Sequence, residues 1–170
     1  MKVTLAKTAG FCFGVQRAVD TVYRVLEEEH KKPVDEQRAI YTYGPIVHNE
    51  TVIQKLAAEG VQVLESEAEL ATLRDGIVII RAHGVPKHIY ELLEKQRVEA
   101  VDASCPFVQK IQRLVQQHTA AGEEVFVTGN PEHPEVIGIM GWAEGGISAI
   151  PDIETAEKLP NGEGRSVVLV

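Results

Sequence analysis

The feature that most constrains this chain is a repeated junction, built around its two cysteines. Cys12 lies in Ala9-Gly10-Phe11-Cys12-Phe13-Gly14-Val15-Gln16-Arg17-Ala18, and Cys105 lies in Ala103-Ser104-Cys105-Pro106-Phe107-Val108-Gln109-Lys110. Cys-x-x-Val-Gln-Arg is thus answered by Cys-x-x-Val-Gln-Lys. A short apolar run (Val3, Leu5) precedes the first copy, and Val15, Val19, Val22, Val25 and Leu26 follow it near helical spacing. Val108, Ile111, Leu114 and Val115 continue the second copy in the same way. Each thiol is therefore predicted where a strand hands over to a helix. A helix start presents unpaired amides and the positive end of the macrodipole, which favours the thiolate that binds metals or attacks electrophiles. A lone cysteine more often only packs. Two in matched contexts favour chemistry.

The rest of the chain alternates strand and helix patterns. A first helix is predicted from Val15 to His30, stopped by Lys31-Lys32-Pro33. Ile40 to Tyr43 reads as a strand, and Asn49 as the cap of a helix carrying Val52, Ile53 and Leu56 before Gly60. Val61 to Leu64 is the next strand, and Ser66-Glu67-Ala68-Glu69 has the capping-box spacing. The unbroken Ile77-Val78-Ile79-Ile80 is the pattern of a strand buried on both faces of a parallel sheet. Pro86 can open a helix with Ile89, Leu92 and Leu93, and Ala100 to Ala103 leads to Cys105.

Beyond Cys105 the rhythm repeats: a helix from Phe107 to Ala121, a strand from Val125 to Thr128, and a short helix with Val136, Ile137 and Met140. Ile147 to Ile150, a capped helix from Asp152 to Leu159, and Val167 to Val170 follow. Strands alternating with helices throughout predict an α/β fold with parallel sheets.

The chain has 170 residues and carries 17 Lys and Arg against 25 Asp and Glu, a formal net charge of −8. That balance argues against nucleic acid or an anionic membrane as partner, since both require a basic face. An anionic substrate would need a local positive potential. Lys7 interrupts the N-terminal stretch before an apolar region of signal-peptide length can form, and no run approaches a membrane span. A reducing cytoplasm is the expected location, and the cysteines are expected to be reduced.

Three histidines occupy equivalent places, each just past a predicted strand: His48, His83 and His133. Ligands of α/β proteins bind at the carboxyl ends of the strands, and helix starts beside imidazoles suit a phosphate. These three are the candidate anion ligands, while His30, His88 and His118 read as surface residues. Glu135, in His133-Pro134-Glu135, sits in a first helical turn beside the same edge, where it can relay a proton. Complementing the helix dipole is its alternative role. Two thiols in matched loops, without a Cys-x-x-Cys pair, suggest zinc held with histidines or an iron-sulfur cluster held between lobes. A third lobe of similar size would carry its own cysteine beyond residue 170.

The motifs also resemble a known family, the 4-hydroxy-3-methylbut-2-enyl diphosphate reductases of the non-mevalonate isoprenoid pathway. The matching segments are Gly10-Phe11-Cys12-Phe13-Gly14-Val15 with Arg17-Ala18, Gly44-Pro45-Ile46-Val47-His48-Asn49, Ala82-His83-Gly84-Val85, Asp102-Ala103-Ser104-Cys105-Pro106, and His133-Pro134-Glu135-Val136 with Gly138 and Met140-Gly141. The resemblance implies a three-lobed cloverleaf of small α/β domains around a [4Fe-4S] cluster held by three cysteines. Cys12 and Cys105 match two cluster ligands, His48, His83 and His133 the residues that hold the substrate diphosphate, and Glu135 the proton donor. It further implies isopentenyl and dimethylallyl diphosphate as products and an electron donor such as ferredoxin or flavodoxin. On this reading residues 1–12 form an N-terminal strand and cluster loop, residues 13–104 a first lobe, and residues 105–170 an incomplete second lobe. The family's third cysteine is expected after Val170. Two further readings stand beside it: a non-catalytic interaction module without a cluster, and an enzyme using Cys105 and His133 as nucleophile and base.

Overall fold

The structure is a computed structural model that describes residues 1–159 and 166–170. Two parallel sheets carry it. The first has four strands, β1 (Ile40–Tyr43), β2 (Gln62–Leu64), β3 (Ile77–Ile80) and β4 (Glu99–Asp102), in the order β2-β1-β3-β4. The second has three, β5 (Glu124–Thr128), β6 (Ile147–Ile150) and β7 (Val167–Leu169), in the order β6-β5-β7. Every strand pair in both is parallel, so the α/β expectation holds.

The first sheet is covered on both faces, and β3 shows why its four residues are all apolar. Ile77 and Ile79 face one core with α1 (Phe13–His30) and α2 (Glu50–Ala58), where Ala18, Val22, Val25 and Leu26 meet Ile40, Ile46 and Leu56. Val78 and Ile80 face the other, with α3 (Glu67–Thr72) and α4 (Lys87–Gln96), against Leu70, Val85, Ile89 and Leu93. Ile79 and Ile80 are fully buried, a position where truncation to Ala typically costs about 2–5 kcal/mol. In the second sheet Val125 and Val127 pack against Val108 and Val115 of α5 (Pro106–Ala120) and Val136 and Ile139 of α6 (Pro134–Met140). A short α7 (Ile153–Glu157) follows β6.

Local signals act as read. The Asn49 side chain accepts from the Val52 amide at 3.1 Å, and Asp152 accepts from the Thr155 amide at 2.7 Å. Ser66 accepts from the Glu69 amide at 3.2 Å, while the Glu69 carboxylate reaches back to the Glu65 amide at 3.0 Å, one residue beyond the usual return. One expectation fails. Val3 and Leu5 are 78% and 84% exposed, and residues 1–12 contain no strand. An apolar run becomes a strand only when another strand supplies its hydrogen bonds, and among the described residues none lies beside this one.

At the amino ends of the strands an ion network ties α1 to the first sheet. Glu29 is buried on α1, and one of its oxygens accepts from Arg38 Nη2 at 2.9 Å and Lys32 Nζ at 2.6 Å. The other accepts from the Arg38 amide at 2.9 Å, and Arg38 Nη1 reaches Glu99 of β4 at 2.6 Å. Hydrogen bonds from Arg38 and then Lys32 outweigh burial and hold the Glu29 carboxyl down at about 2. A depressed carboxylate stabilises the fold above its unfolded value, and that contribution fades as pH falls from about 4.5 toward 2. Arg38→Met should therefore cost about 2 kcal/mol in urea denaturation at pH 7. Glu29→Gln should flatten the acid limb of stability between those two pH values.

Candidate functional site

The topology places the predicted histidines before any side chain is considered. β1 lies beside β3, yet the chain leaves β1 toward β2 and leaves β3 toward β4. Connections departing in opposite directions leave a crevice at the carboxyl ends of β1 and β3, the usual ligand position in an open α/β sheet. His48 follows β1, and His83 follows β3. In the second sheet β5 is central, with β6 and β7 on either side, and His133 follows it.

The three imidazoles come together. The ring centres of His48 and His83 are 4.9 Å apart, and those of His83 and His133 are 6.0 Å apart. His83 is the middle ring and the most enclosed: its Nδ1 is buried without a hydrogen-bond partner. Burial, then the neighbouring His48, Arg81 and His133, push its pKa down to about 4. The ring is therefore neutral at physiological pH in the free chain and can still donate one N–H. His133 Nδ1 accepts from the Glu135 amide at 3.2 Å, so the proton of a neutral His133 ring sits on Nε2. That bond caps α6 and joins the histidine to the predicted proton carrier. His133 and Glu135 line a cavity of about 400 Å³ whose walls include Ile111, Val127, Asn130 and Val170.

The second half of the chain is held against the His83 loop by several bonds. Within the second half, Gln112, buried on α5, donates to the Gly138 carbonyl of α6 at 3.4 Å, and its side chain lies so close to the His83 loop that a Cβ built on Gly84 would be 2.5 Å from Gln112 Nε2. The Trp142 indole donates to the Val85 carbonyl at 2.9 Å, and the Lys87 amide to the Gly141 carbonyl at 3.2 Å. These bonds bring His133 from one sheet to His83 on the other.

Cys12 and Cys105 are both free, and each is the residue before the first turn of its helix, α1 or α5. Cys12 is exposed and Cys105 half-buried. The Cys105 amide donates to the Ala82 carbonyl at 2.9 Å, one residue before His83. Arg17 of α1 donates to the Ser104 carbonyl at 2.7 Å and draws the start of α1 onto this loop. The approach is so close that a Cβ built on Gly14 would lie 2.6 Å from Cys105 Sγ. Glycine at 14 is thus required by the contact that sets Cys12 two residues from a backbone touching Cys105.

Among the described residues no three His, Cys, Asp or Glu side chains are grouped to hold a metal ion. A nucleophile and base made of Cys105 and His133 finds no support in these contacts, because no hydrogen bond joins them and His133 Nδ1 is occupied by the Glu135 amide. His30 and His88 are exposed as read, while His118 is half-buried in a short contact with Glu123. Gly14, Arg17 and Gln112 have site roles that residue order alone does not assign. Gly14 and Arg17 carry a signal, since both belong to the stretch repeated around the cysteines.

Gly14→Ala should destabilise the chain by roughly 1–3 kcal/mol through overpacking. The loss should shrink in a Cys105→Ala background, a coupling that a double-mutant cycle measures. His83 should titrate near 4 by imidazole NMR. A histidine kept neutral in the fold favours unfolding wherever only the unfolded chain is protonated, so stability should fall as pH drops from about 6.5 to about 4. Thermal unfolding of His83→Asn should show a weaker dependence over that range.

Comparison with known proteins supplies the family. A family model described as LytB protein matches residues 3–170. The chain is 41% identical over 160 residues to a 4-hydroxy-3-methylbut-2-enyl diphosphate reductase from Alkaliphilus oremlandii (strain OhILAs), covering 94% of this chain and 54% of the relative. It is 43% identical over 164 residues to one from Thermoanaerobacter sp. (strain X514), covering 96% and 54%. Among solved structures, the E-1-hydroxy-2-methyl-but-2-enyl-4-diphosphate reductase from Plasmodium falciparum superposes with a TM-score of 0.84 at 29% identity, over 96% of this chain and 49% of that one. A second, described as the terminal enzyme of the non-mevalonate pathway, gives 0.75 at 30% identity over 99% and 66%. The chain therefore spans about half the length of the curated relatives it matches. A match over residues 3–170, with the fold of two solved reductases, means that this chain belongs to the LytB family.

Proposed function

We propose that the chain forms the N-terminal part of a reductase that removes the hydroxyl of 4-hydroxy-3-methylbut-2-enyl diphosphate. Two electrons and two protons would convert that substrate to isopentenyl or dimethylallyl diphosphate and water. The observation that carries the reading is the convergence of His48, His83 and His133 from three strand ends, with ring centres 4.9 and 6.0 Å apart, beside Glu135. Residues 13–104 and 105–170 act as two lobes, and the length of the relatives that this chain does not span supplies the rest of the site.

In this reading the histidines bind and orient the diphosphate. His83, uncharged in the free chain, donates through its one N–H and takes up a proton as the anion approaches, since a neighbouring negative charge favours the imidazolium. Glu135 holds the proton that the departing hydroxyl requires. Its place in the first turn of α6 is fixed by the bond from its own amide to His133, so proton carrier and anion ligand move as one unit. The apolar part of the cavity wall, Ile111, Val127 and Ile139, limits water around the reacting carbon.

The residues also fit an iron-sulfur cluster. Two free cysteines begin two helices, and the side-chain-free Gly14 lets α1 approach Cys105 Sγ closely. Cys12 and Cys105 would be two of its ligands, with a third outside this chain. When bound, the cluster supplies electrons and a Lewis-acidic iron. A reducing cytoplasm and a small electron-transfer protein such as ferredoxin or flavodoxin complete the proposal.

The test begins with anaerobic reconstitution by iron and sulfide. A protein that restores the length of the Thermoanaerobacter relative should bind both, and Cys12→Ser or Cys105→Ser should each lose iron, whereas zinc in their place would refute the cluster assignment; residues 1–170 alone should lose the cluster quickly. In a chimera that restores the length of the Thermoanaerobacter relative, Glu135→Gln should lower kcat by about 10² to 10⁴ with little change in KM. A near-normal kcat would return Glu135 to a helix-dipole role.

A further inference from the structure

Arg81 is the residue immediately after β3 and stands two positions before His83. Its guanidinium lies across Gly44, the first residue of the loop that runs from β1 to His48. Gly44 has φ 69°, a backbone conformation that favours glycine, and a Cβ built there would meet Arg81 Nη1, so the guanidinium occupies the space that a side chain at 44 would take. The side chain is half-buried, and its Nε is enclosed without a hydrogen-bond partner. Among the described residues the guanidinium makes no hydrogen bond and no ion pair. Glu65 and Tyr43 are the groups whose charge reaches it, and Glu65 stays beyond ion-pair distance.

An arginine that merely braces a fold donates to carbonyls or carboxylates, because unmet buried donors are costly. Arg81 does neither, although it touches the loop that carries His48 and its charge is felt at His83. The middle imidazole is uncharged in the free chain, so it offers an approaching anion no positive charge until it has taken up a proton. The chain as a whole is acidic, with a net charge of −8. A guanidinium fork matches phosphate oxygens pairwise and keeps its charge at any working pH.

We infer that Arg81 is a further binding residue of the histidine site, offering a permanent positive charge and a two-pronged donor to the phosphates of an anionic ligand. This rests on the reading of that site as a diphosphate site. By spanning the Gly44 turn it also sets the position of the loop bearing His48.

The probe is inorganic pyrophosphate, titrated into the 170-residue chain by calorimetry and by NMR of the Arg81 Nε–H resonance. That resonance should shift on titration. Arg81→Gln should weaken binding about tenfold, and Arg81→Lys should recover only part of the loss, since an ammonium keeps the charge without the fork. Pyrophosphate bound equally well by Arg81→Gln, with His83→Asn weakened, would overturn the role of Arg81 and leave the diphosphate reading standing. Absence of pyrophosphate binding in the unaltered chain, or binding unaffected by His48→Asn and His83→Asn, would overturn both. If Arg81→Gln does not fold, the Nε–H resonance of the unaltered chain decides, and one that does not move at saturating pyrophosphate overturns the inference.

Discussion

The parallel pairing of β1 with β3, with β2 and β4 outside them, is the constraint on which the site depends. Strands joined in sequence but placed on opposite flanks force their connections apart, and the gap between those connections is where backbone amides and loop side chains can converge on a ligand. Ile77 to Ile80 make the pairing obligatory. A four-residue strand that is apolar on both faces must be central and covered above and below, which fixes α1 and α2 on one side and α3 and α4 on the other. Once that layering is set, the β1 and β3 loops open at the same edge.

The second dependence is the junction of the two sheets, which is polar and made largely by backbone groups. Ala82, Val85 and Gly141 contribute carbonyls, the Cys105 and Lys87 amides and the Trp142 indole donate to them, and Lys87 pairs with Glu144. Carbonyl contacts of this kind specify relative position more sharply than an oily interface, because each bond has a preferred distance and direction. Position matters here. The ring distances at His83 hold only while the second sheet stays docked on the His83 loop.

Electrostatically the strand edge is an island of donors in an acidic chain. Burial keeps His83 neutral and lowers the pKa of Arg81 as well, from the high starting point of a guanidinium, and the His133 ring is oriented by the amide of Glu135. Among the described residues none of these side chains forms an ion pair, although Glu65 lies near enough for its charge to reach Arg81. Acidic partners lie at the opposite end of the strands, where Glu29 and Glu99 hold Arg38.

Much of this is legible from residue order. Helix caps at Asn49, Ser66 and Asp152, the buried run of β3 and the alternation of strand and helix are local signals, since each depends on residues within a turn of one another. The matched contexts of Cys12 and Cys105 point to both helix starts, and the positions of His48, His83 and His133 after their strands point to one edge. Residue order does not determine the strand order, which decides that two of those edges adjoin, because nonlocal pairing is chosen by packing across the whole sheet. Nor does it show that Arg81 lies on Gly44 or that Gly14 meets Cys105, contacts between residues that are distant along the chain. The same limit explains the failure at Val3 and Leu5. Apolar character is theirs alone, but a strand also needs a neighbour, and only the tertiary structure decides whether one is there.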